Sequence, residues 1–140
     1  MSDYKIHVAN GIVIKNRKLL AGRSRNRPHF LIPGGKIEPG ETTRQAVIRE
    51  LGEEFGISIK PKDLEPYKTI YENAALGSFN HGKKMRADIF MVLKWDGEPA
   101  ATNETDEIAW IDSSSLKSME LSLILENHVV PELKKQGLID

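Results

Sequence analysis

Four neighbouring charged residues of this sequence are best placed to do chemistry: Arg49, Glu50, Glu53 and Glu54. They follow the glycine- and proline-rich run PGGKIEPGET and belong to a segment with helical spacing. Successive helical residues turn by roughly 100°, so all three glutamates fall on one side of such a helix. Carboxylate oxygens are the ligands that hard cations such as Mg²⁺ or Mn²⁺ prefer. The spacing is therefore compatible with a divalent-metal site.

A solvated acidic helix face is the alternative interpretation of the same three carboxylates. Like charges at this spacing repel each other, and Arg49, four residues before Glu53, supplies part of the opposing charge. The glycines of the preceding loop would let backbone groups come close to a ligand. From the carboxylates alone, both interpretations stay open.

The segment that carries these side chains is the strongest helix prediction in the sequence. Thr42 and Gln45 have the spacing of a capping box, which predicts that the helix begins there. Gly56 stands where a left-handed residue would end it. The apolar stripe of this helix comprises Val47, Ile48, Leu51 and Phe55. One face is therefore expected to pack on a sheet while the acidic side stays accessible.

Strands are predicted on both sides of this helix, with a second main helix at the end of the chain. The predicted strands are IHVANGIVIKN, KLLAGRSR, a short FLI strand that gives way to a loop through PGGKIEPGE, Leu64–Glu72, RADIFMVLKW and EIAWID. A polar loop with His81 is expected at 73–84, and a short turn or helix at SSSLKSM. The closing helix, LSLILENHVVPELKKQG, is expected either to begin near Asn127 with a kink at Pro131, or to break at Pro131. This order predicts α+β or α/β layering.

Length and composition favour one soluble domain covering residues 1–140. Lys plus Arg equals Asp plus Glu, which argues against a protein that coats nucleic acid. The chain has no cysteine, so disulfides and cysteine zinc sites are excluded. Neither a signal peptide nor an apolar run of about 20 residues is visible. We expect a cytoplasmic protein with no membrane partner.

Nine residues at fixed spacing resemble the signature box of the Nudix hydrolase family. They are Gly35, Glu41, Arg49, Glu50, Leu51, Glu53, Glu54, Gly56 and Ile57. The resemblance, which is strongest to the MutT-like branch, implies a Nudix fold: an α/β/α sandwich around a mixed, curved β-sheet. It also implies an enzyme that uses Mg²⁺ or Mn²⁺ and cleaves a diphosphate linkage in a nucleotide by water attack at phosphorus.

The resemblance also implies a role for each residue of the box. The implied metal-binding groups are the Gly35 carbonyl and the carboxylates of Glu50, Glu53 and Glu54. Glu53 or Glu54 is expected to orient or deprotonate the attacking water as well. Arg49 resembles the residue that holds the glutamates in position, and Glu41 resembles its structural partner.

Three residues outside the box resemble functional positions of MutT-like proteins. Glu104 is placed like a further metal ligand or base, although Glu107 competes for that role and both fit exposed loop acids. Arg23 resembles an arginine that contacts substrate phosphate, or is a surface arginine. Asn127 resembles an asparagine that reads a purine base, since an amide both donates and accepts hydrogen bonds. Its alternative is a helix N-cap.

The short chain and its IPGGKIEPGET run look most like a MutT-type enzyme. Such an enzyme converts a (d)NTP or an oxidised (d)NTP to the monophosphate and pyrophosphate. ADP-ribose, nucleotide sugars and dinucleoside polyphosphates are alternative substrates within the family. A nucleotide-sensing module without catalysis is an alternative of another class, which the intact glutamates disfavour. Both monomers and homodimers occur in the family, so a homodimer stays open.

Overall fold

The computed structural model describes residues 4–24, 27–73 and 83–140. Most of the predicted polar loop at 73–84, including His81, lies outside these residues. Within them, no helix is long and apolar enough to span a membrane.

The described elements follow the predicted order, with strands on both sides of one long helix and shorter helices near the end of the chain. The strands are β1 (Ile6–Ile12), β2 (Ile14–Lys15), β3 (Lys18–Arg23), β4 (Gly34–Lys36), β5 (Leu64–Asn73), β6 (Lys84–Val92) and β7 (Glu107–Ile111). The α-helices are α1 (Thr43–Phe55), α2 (Ser115–Ser118) and α3 (Val130–Lys135), with a 3₁₀ turn at Pro61–Asp63 and a π-helical turn at Leu125–Val129. The strand predictions on both sides of α1 are thus confirmed, apart from the one described below for β4.

The strands form two sheets. The larger one has the order β4-β1-β6-β5, in which β1 runs parallel to β6 and the other pairs are antiparallel. The smaller one, β2-β3-β7, is antiparallel throughout. Both parallel and antiparallel pairs are present, which confirms the predicted mixed sheet.

Strand β1 separates two apolar cores because its side chains alternate between the faces of the sheet. Ile6, Val8 and Ile12 belong to the core that contains the closing helix, the helical stretch at 123–135. Ala9, and Val13 directly after the strand, belong to the core that contains α1. Helices therefore cover the larger sheet from both sides, as the predicted α/β/α sandwich requires.

Helix α1 begins and ends as its sequence predicts. The backbone N–H of Gln45 donates to Thr42 Oγ1 at 3.1 Å, and the Gln45 side chain accepts from the Thr42 N–H at 2.9 Å. Gly56 ends the helix at φ 72°, and its N–H donates to the Gly52 carbonyl. Val47, Leu51 and Phe55 are buried. The helix therefore has fixed ends and a fixed rotation, which direct its acidic side away from the core.

The prediction for the segment at 30–36 was wrong in one respect. Strand structure lies at Gly34–Lys36, which we expected to be loop, while Phe30 and Leu31 form only isolated bridges. Gly34 pairs with Asn10 on β1 at φ 138°, a conformation that side chains rarely adopt. A Cβ atom there would lie 2.2 Å from the Ala9 carbonyl oxygen. Strand β4 can therefore form because Gly34, which has no side chain, lets its backbone approach that of β1.

The prediction for the closing helix was also wrong in part. Helical structure starts at residue 123 and continues through Pro131 without a break. The turn at Leu125–Val129 is π-helical, and the Val130 N–H donates to the Leu125 carbonyl five residues back. Pro131 lies inside this continuous helical stretch, two residues after the π-helical turn, so the local change from i→i−4 to i→i−5 bonding accompanies the missing N–H of the proline. Asn127 lies inside the π-helical turn, so it is not an N-cap.

Substituting two glycines separately will test the close backbone approach at β4. Gly56→Ala adds a methyl group at positive φ in open space, so we expect it to cost about 1–2 kcal/mol. Gly34→Ala adds the same backbone strain and also a collision with β1. We therefore expect it to lower the free energy of unfolding by at least about 2 kcal/mol more than Gly56→Ala does. Urea unfolding of both variants measures the difference. If the two variants unfolded at the same urea concentration, the close approach of β4 to β1 at Gly34 would be contradicted.

Candidate active site

Arg49 connects three parts of the chain through one guanidinium group. Its Nε and Nη2 donate to the two oxygens of Glu41 at 2.7 and 3.0 Å, a bidentate pair. Its Nη1 donates to Glu50 at 2.9 Å and to Glu53 at 3.4 Å. Nη2 also donates to the Lys36 carbonyl of β4 at 3.0 Å. Loop, strand and helix are thereby held together, as the predicted positioning role requires.

The bidentate pair has a strong electrostatic effect on Glu41. Hydrogen bonds from Arg49, together with the backbone N–H of Glu38, lower the pKa of Glu41 to about 2. Glu41 therefore stays charged over most of the pH range and balances the charge of Arg49 on the side away from the other glutamates.

Three carboxylates converge beside Arg49. Oxygens of Glu50, Glu53 and Glu104 all lie within 4.8 Å of one another. A Mg²⁺ ion with ligands at about 2.1 Å accepts oxygens up to about 4.2 Å apart. Small side-chain rotations would bring the three oxygens to that spacing. An all-oxygen donor set of this charge fits a hard divalent cation.

Thr102 attaches the loop that carries Glu104 to the end of α1. Its Oγ1 lies 2.7 Å from the Glu53 carbonyl and 3.0 Å from the Glu54 carbonyl, which have no partner within the helix. The same oxygen accepts from the Glu104 N–H at 3.3 Å. Our sequence analysis missed Thr102, because nothing in the local sequence shows that its loop reaches the helix end.

Glu107, the sequence competitor of Glu104, lies elsewhere. It accepts from Arg23 Nη2 at 2.8 Å, on the strand pair β3–β7. Arg23 also lies 3.4 Å from Asp106 and donates to the Arg27 carbonyl. The structure therefore places Glu104 with the predicted metal ligands and pairs Glu107 with Arg23.

Glu54 occupies a half-buried position beside the three-carboxylate cluster. Its Oε1 accepts from the Gly34 N–H at 2.8 Å. Burial, reinforced by the nearby charges of Glu50 and Glu104, raises the pKa of Glu54 to about 8, although the Gly34 hydrogen bond opposes this. Burial also raises the pKa of Glu50. A nearby cation would oppose both shifts, because it favours charged carboxylates.

Gly35 lies directly against Glu50. A Cβ atom on Gly35 would lie 2.7 Å from the Glu50 carboxylate, so any side chain there would displace it. Gly35 also pairs with Ala9 of β1. The position predicted for a carbonyl ligand thus adjoins the cluster.

A cavity of about 200 Å³ adjoins β4 on the side of the closing helix. Its lining includes Gly34 and Gly35 of β4, Asn10 of β1 and Ile124 of the closing helix. Asn127 is not part of that lining. Its amide donates instead to Glu72 at 3.3 Å, and the ring of His128 contacts the same carboxylate.

Comparison with known proteins identifies the family. The profile of the NUDIX domain matches residues 5–130. The chain belongs to the Nudix family. The ADP-ribose pyrophosphatase of Methanocaldococcus jannaschii is 43% identical to this Nudix chain over 113 residues, 79% of the chain and 63% of the relative. An RNA pyrophosphohydrolase of Francisella tularensis is 39% identical over 64 residues, 46% of the chain and 40% of the relative. The matches thus span less than two thirds of either relative.

The fold of this Nudix chain is that of solved MutT structures. The MutT protein from Methanosarcina mazei superimposes with a TM-score of 0.69 over 98% of both chains, at 19% identity. At that identity the likeness concerns the fold, and it confirms the predicted Nudix architecture.

The Arg49–Glu41 pair predicts a pH-dependent stability. Because the pKa of Glu41 is lower in the folded protein than its ordinary value of about 4.3, the pair contributes stability above that pH. The contribution is lost as the pH falls towards 2. We expect Glu41→Gln to be less stable than the parent at pH 7, with the difference shrinking between about pH 4.5 and 2. Urea unfolding at a series of pH values measures this difference.

Glu38→Gln is the matched control for that measurement. Its carboxylate lies 3.6 Å from Arg49 and is 63% exposed, so we expect little change in stability. A Glu41→Gln variant as stable as Glu38→Gln at pH 7 would contradict the importance of the bidentate pair.

Proposed function

We propose that this Nudix domain is a pyrophosphohydrolase that cleaves a diphosphate linkage in a nucleotide with the help of Mg²⁺ or Mn²⁺. The observation that carries the proposal is the convergence of Glu50, Glu53 and Glu104 from two separate segments. An acidic helix face alone would not bring in Glu104, which reaches the cluster through a loop anchored by Thr102. The Nudix family match supports the same reaction class.

In this proposal the carboxylates of Glu50, Glu53 and Glu104, with Glu54 and the Gly35 carbonyl, hold the metal. A bound divalent ion supplies charge neutralisation at phosphate oxygens and lowers the pKa of a ligating water. Arg49 keeps Glu50 and Glu53 in place during the reaction. Because it stays charged, it also limits repulsion between the carboxylates when substrate phosphates arrive.

Glu53 is the group we assign to orient and deprotonate the attacking water. Its side chain is 44% exposed, against 16% for Glu50, so water reaches it directly. Glu54, the alternative base, is half-buried and accepts a hydrogen bond from the Gly34 N–H. A general base must lie within hydrogen-bond reach of the water, which favours the exposed carboxylate.

Two substrate classes fit this site. The MutT-like fold favours a (d)NTP or an oxidised (d)NTP, which would be cleaved to a monophosphate and pyrophosphate. The relative from M. jannaschii, named for ADP-ribose, favours a diphosphate that joins a nucleoside to another group. Arg23 would contact the phosphates of either class, and it would then have to share or leave Glu107. Asn127 would read the base only after leaving Glu72.

Product analysis with acid variants tests the proposal. We expect Glu53→Gln to lower kcat by about 10²-fold or more, because it removes a metal ligand and the base together. Glu98→Gln is the control, since this exposed carboxylate pairs with Lys15 and takes no part in the cluster. Pyrophosphate and phosphate are measured separately with triphosphates, ADP-ribose, nucleotide sugars and dinucleoside polyphosphates in Mg²⁺ or Mn²⁺.

The products distinguish the alternatives. Pyrophosphate from a triphosphate supports the MutT-type reaction, and turnover of only the diphosphate-linked compounds supports the second substrate class. Tight nucleotide binding without turnover, or full activity in Glu53→Gln, would contradict the enzymatic proposal.

A double-mutant cycle tests whether Thr102 acts through Glu104. Thr102→Val removes the hydroxyl contacts with nearly the same shape, so we expect kcat to fall about tenfold. When Thr102→Val is introduced into a protein that already carries Glu104→Gln, we expect a much smaller fall in kcat. Thr69→Val is the control, because that hydroxyl bonds to Asp88 on the larger sheet. If the two substitutions lowered kcat independently of each other, so that their effects on the activation free energy were additive, the coupling between Thr102 and Glu104 would be contradicted.

A further inference from the structure

Asn10 carries a buried hydrogen-bond acceptor that has no partner. The residue is 5% exposed and lies on β1, on the side that faces the closing helix. Its Nδ2 donates to the carbonyls of Pro33 at 3.2 Å and Ile32 at 3.4 Å. Its Oδ1 has no hydrogen-bond partner among the described residues. Leaving such an atom unsatisfied costs free energy, so its presence calls for an explanation.

The orientation of this amide follows from its neighbours. A carbonyl oxygen can only accept, so the group that faces the Pro33 and Ile32 carbonyls must be the NH₂. Rotating the amide by 180° would place Oδ1 against two oxygens and lose both bonds. The unpaired atom is therefore an acceptor and not a donor.

The cavity lined by Asn10 is mainly apolar. Its walls include Ile6, Val8, Ile32, Met85 and Ile124. At about 200 Å³ it is smaller than the roughly 300–1,000 Å³ of sites for drug-sized ligands. It therefore suits one flat ring system whose faces are apolar and whose edge carries a hydrogen-bond donor.

Strand β4 is shared by this cavity and the carboxylate cluster. Gly34 and Gly35 line the cavity, while the Gly34 N–H binds Glu54 and Gly35 lies against Glu50. One molecule with a ring in the cavity would therefore extend along β4 towards the metal-binding carboxylates. A nucleotide has this arrangement, with a flat base at one end and phosphates at the other.

We propose that Asn10 Oδ1 accepts a hydrogen bond from an exocyclic amino group of the substrate base, and so selects for bases that carry one. The inference rests on the proposed function, and it restricts the substrate to nucleotides whose base carries an exocyclic amino group. It also places base recognition on β1, in the first strand of the larger sheet. Asn127, the residue that sequence resemblance suggested, lies outside this lining and bonds to Glu72.

Binding of matched nucleotide pairs tests the inference. GTP is compared with ITP, and ATP with purine riboside triphosphate, since each pair differs by one amino group. Dissociation constants are measured by calorimetry with Ca²⁺ on the Glu53→Gln protein, so that hydrolysis does not interfere. We expect the amino member of at least one pair to bind about tenfold more tightly. In a protein that also carries Asn10→Leu, the preference should fall to about twofold or less.

The Asn10→Leu substitution removes the acceptor and keeps the branched shape of the side chain, with a somewhat larger volume. The Pro33 carbonyl keeps a partner in this variant, because the Gly11 N–H donates to it at 3.0 Å. Ser115→Ala is the control, since it removes a similarly buried hydroxyl at the start of α2 and should keep the preference. If Asn10→Leu does not fold, the preference is measured in Asn10→Ser instead. The comparison of the two nucleotide pairs with Asn10 intact tests the inference in either case.

The outcomes separate this inference from the proposed function. Equal affinities within both pairs, or a preference that survives Asn10→Leu, would overturn the role of Asn10 while leaving hydrolysis intact. If the unsubstituted protein neither bound nor cleaved any of these nucleotides or the diphosphate-linked compounds, the proposed function itself would be overturned.

Discussion

The guanidinium of Arg49 is the group on which the rest of the site depends. It binds Glu41 through two hydrogen bonds and still reaches Glu50, Glu53 and the β4 backbone. A planar group with five donors can make such a set of contacts, whereas a lysine ammonium cannot match the geometry. Glu41 keeps its charge because the pair lowers its pKa to about 2. Arg49 is thus partly neutralised on one side, and its remaining donors fix the carboxylates that face the substrate. Without it, three acids on one helix face would repel each other and separate.

The fold brings two chemically different surfaces to the same short strand. On one side of β4, Gly35 leaves room for the Glu50 carboxylate. On the other side lies the apolar cavity lined by Asn10, whose Oδ1 has no hydrogen-bond partner among the described residues. Both surfaces depend on close packing of β4 against β1, which is possible because Gly34 adopts φ 138°. Charge stabilisation and recognition of an apolar ring require opposite environments, and one strand of three residues separates them.

Local patterns in the sequence predicted the parts of this structure that depend on local interactions. Helix α1 was recognisable from its capping box, its apolar stripe and Gly56, because each acts within a few residues. The box residues were recognisable through family resemblance. Contacts between distant segments were not: nothing near Thr102 shows that it meets the end of α1, and Asn10 reads as one polar residue in an apolar strand. The same limit explains the error at Gly34–Lys36, where pairing with β1 outweighs the turn preference of glycine. At Pro131, a π-helical turn just before the proline changes the local hydrogen bonding, so the helix continues where the sequence predicted a kink or a break.

A crystal of this protein soaked in Mn²⁺ would test the central claim most directly, because anomalous scattering locates the metal without any assumption about substrate. The account predicts a peak bonded to carboxylate oxygens of Glu50, Glu53 and Glu104, with Arg49 still paired to Glu41. Absence of a peak there at saturating Mn²⁺, or a peak held by carboxylates elsewhere on the chain, would contradict it.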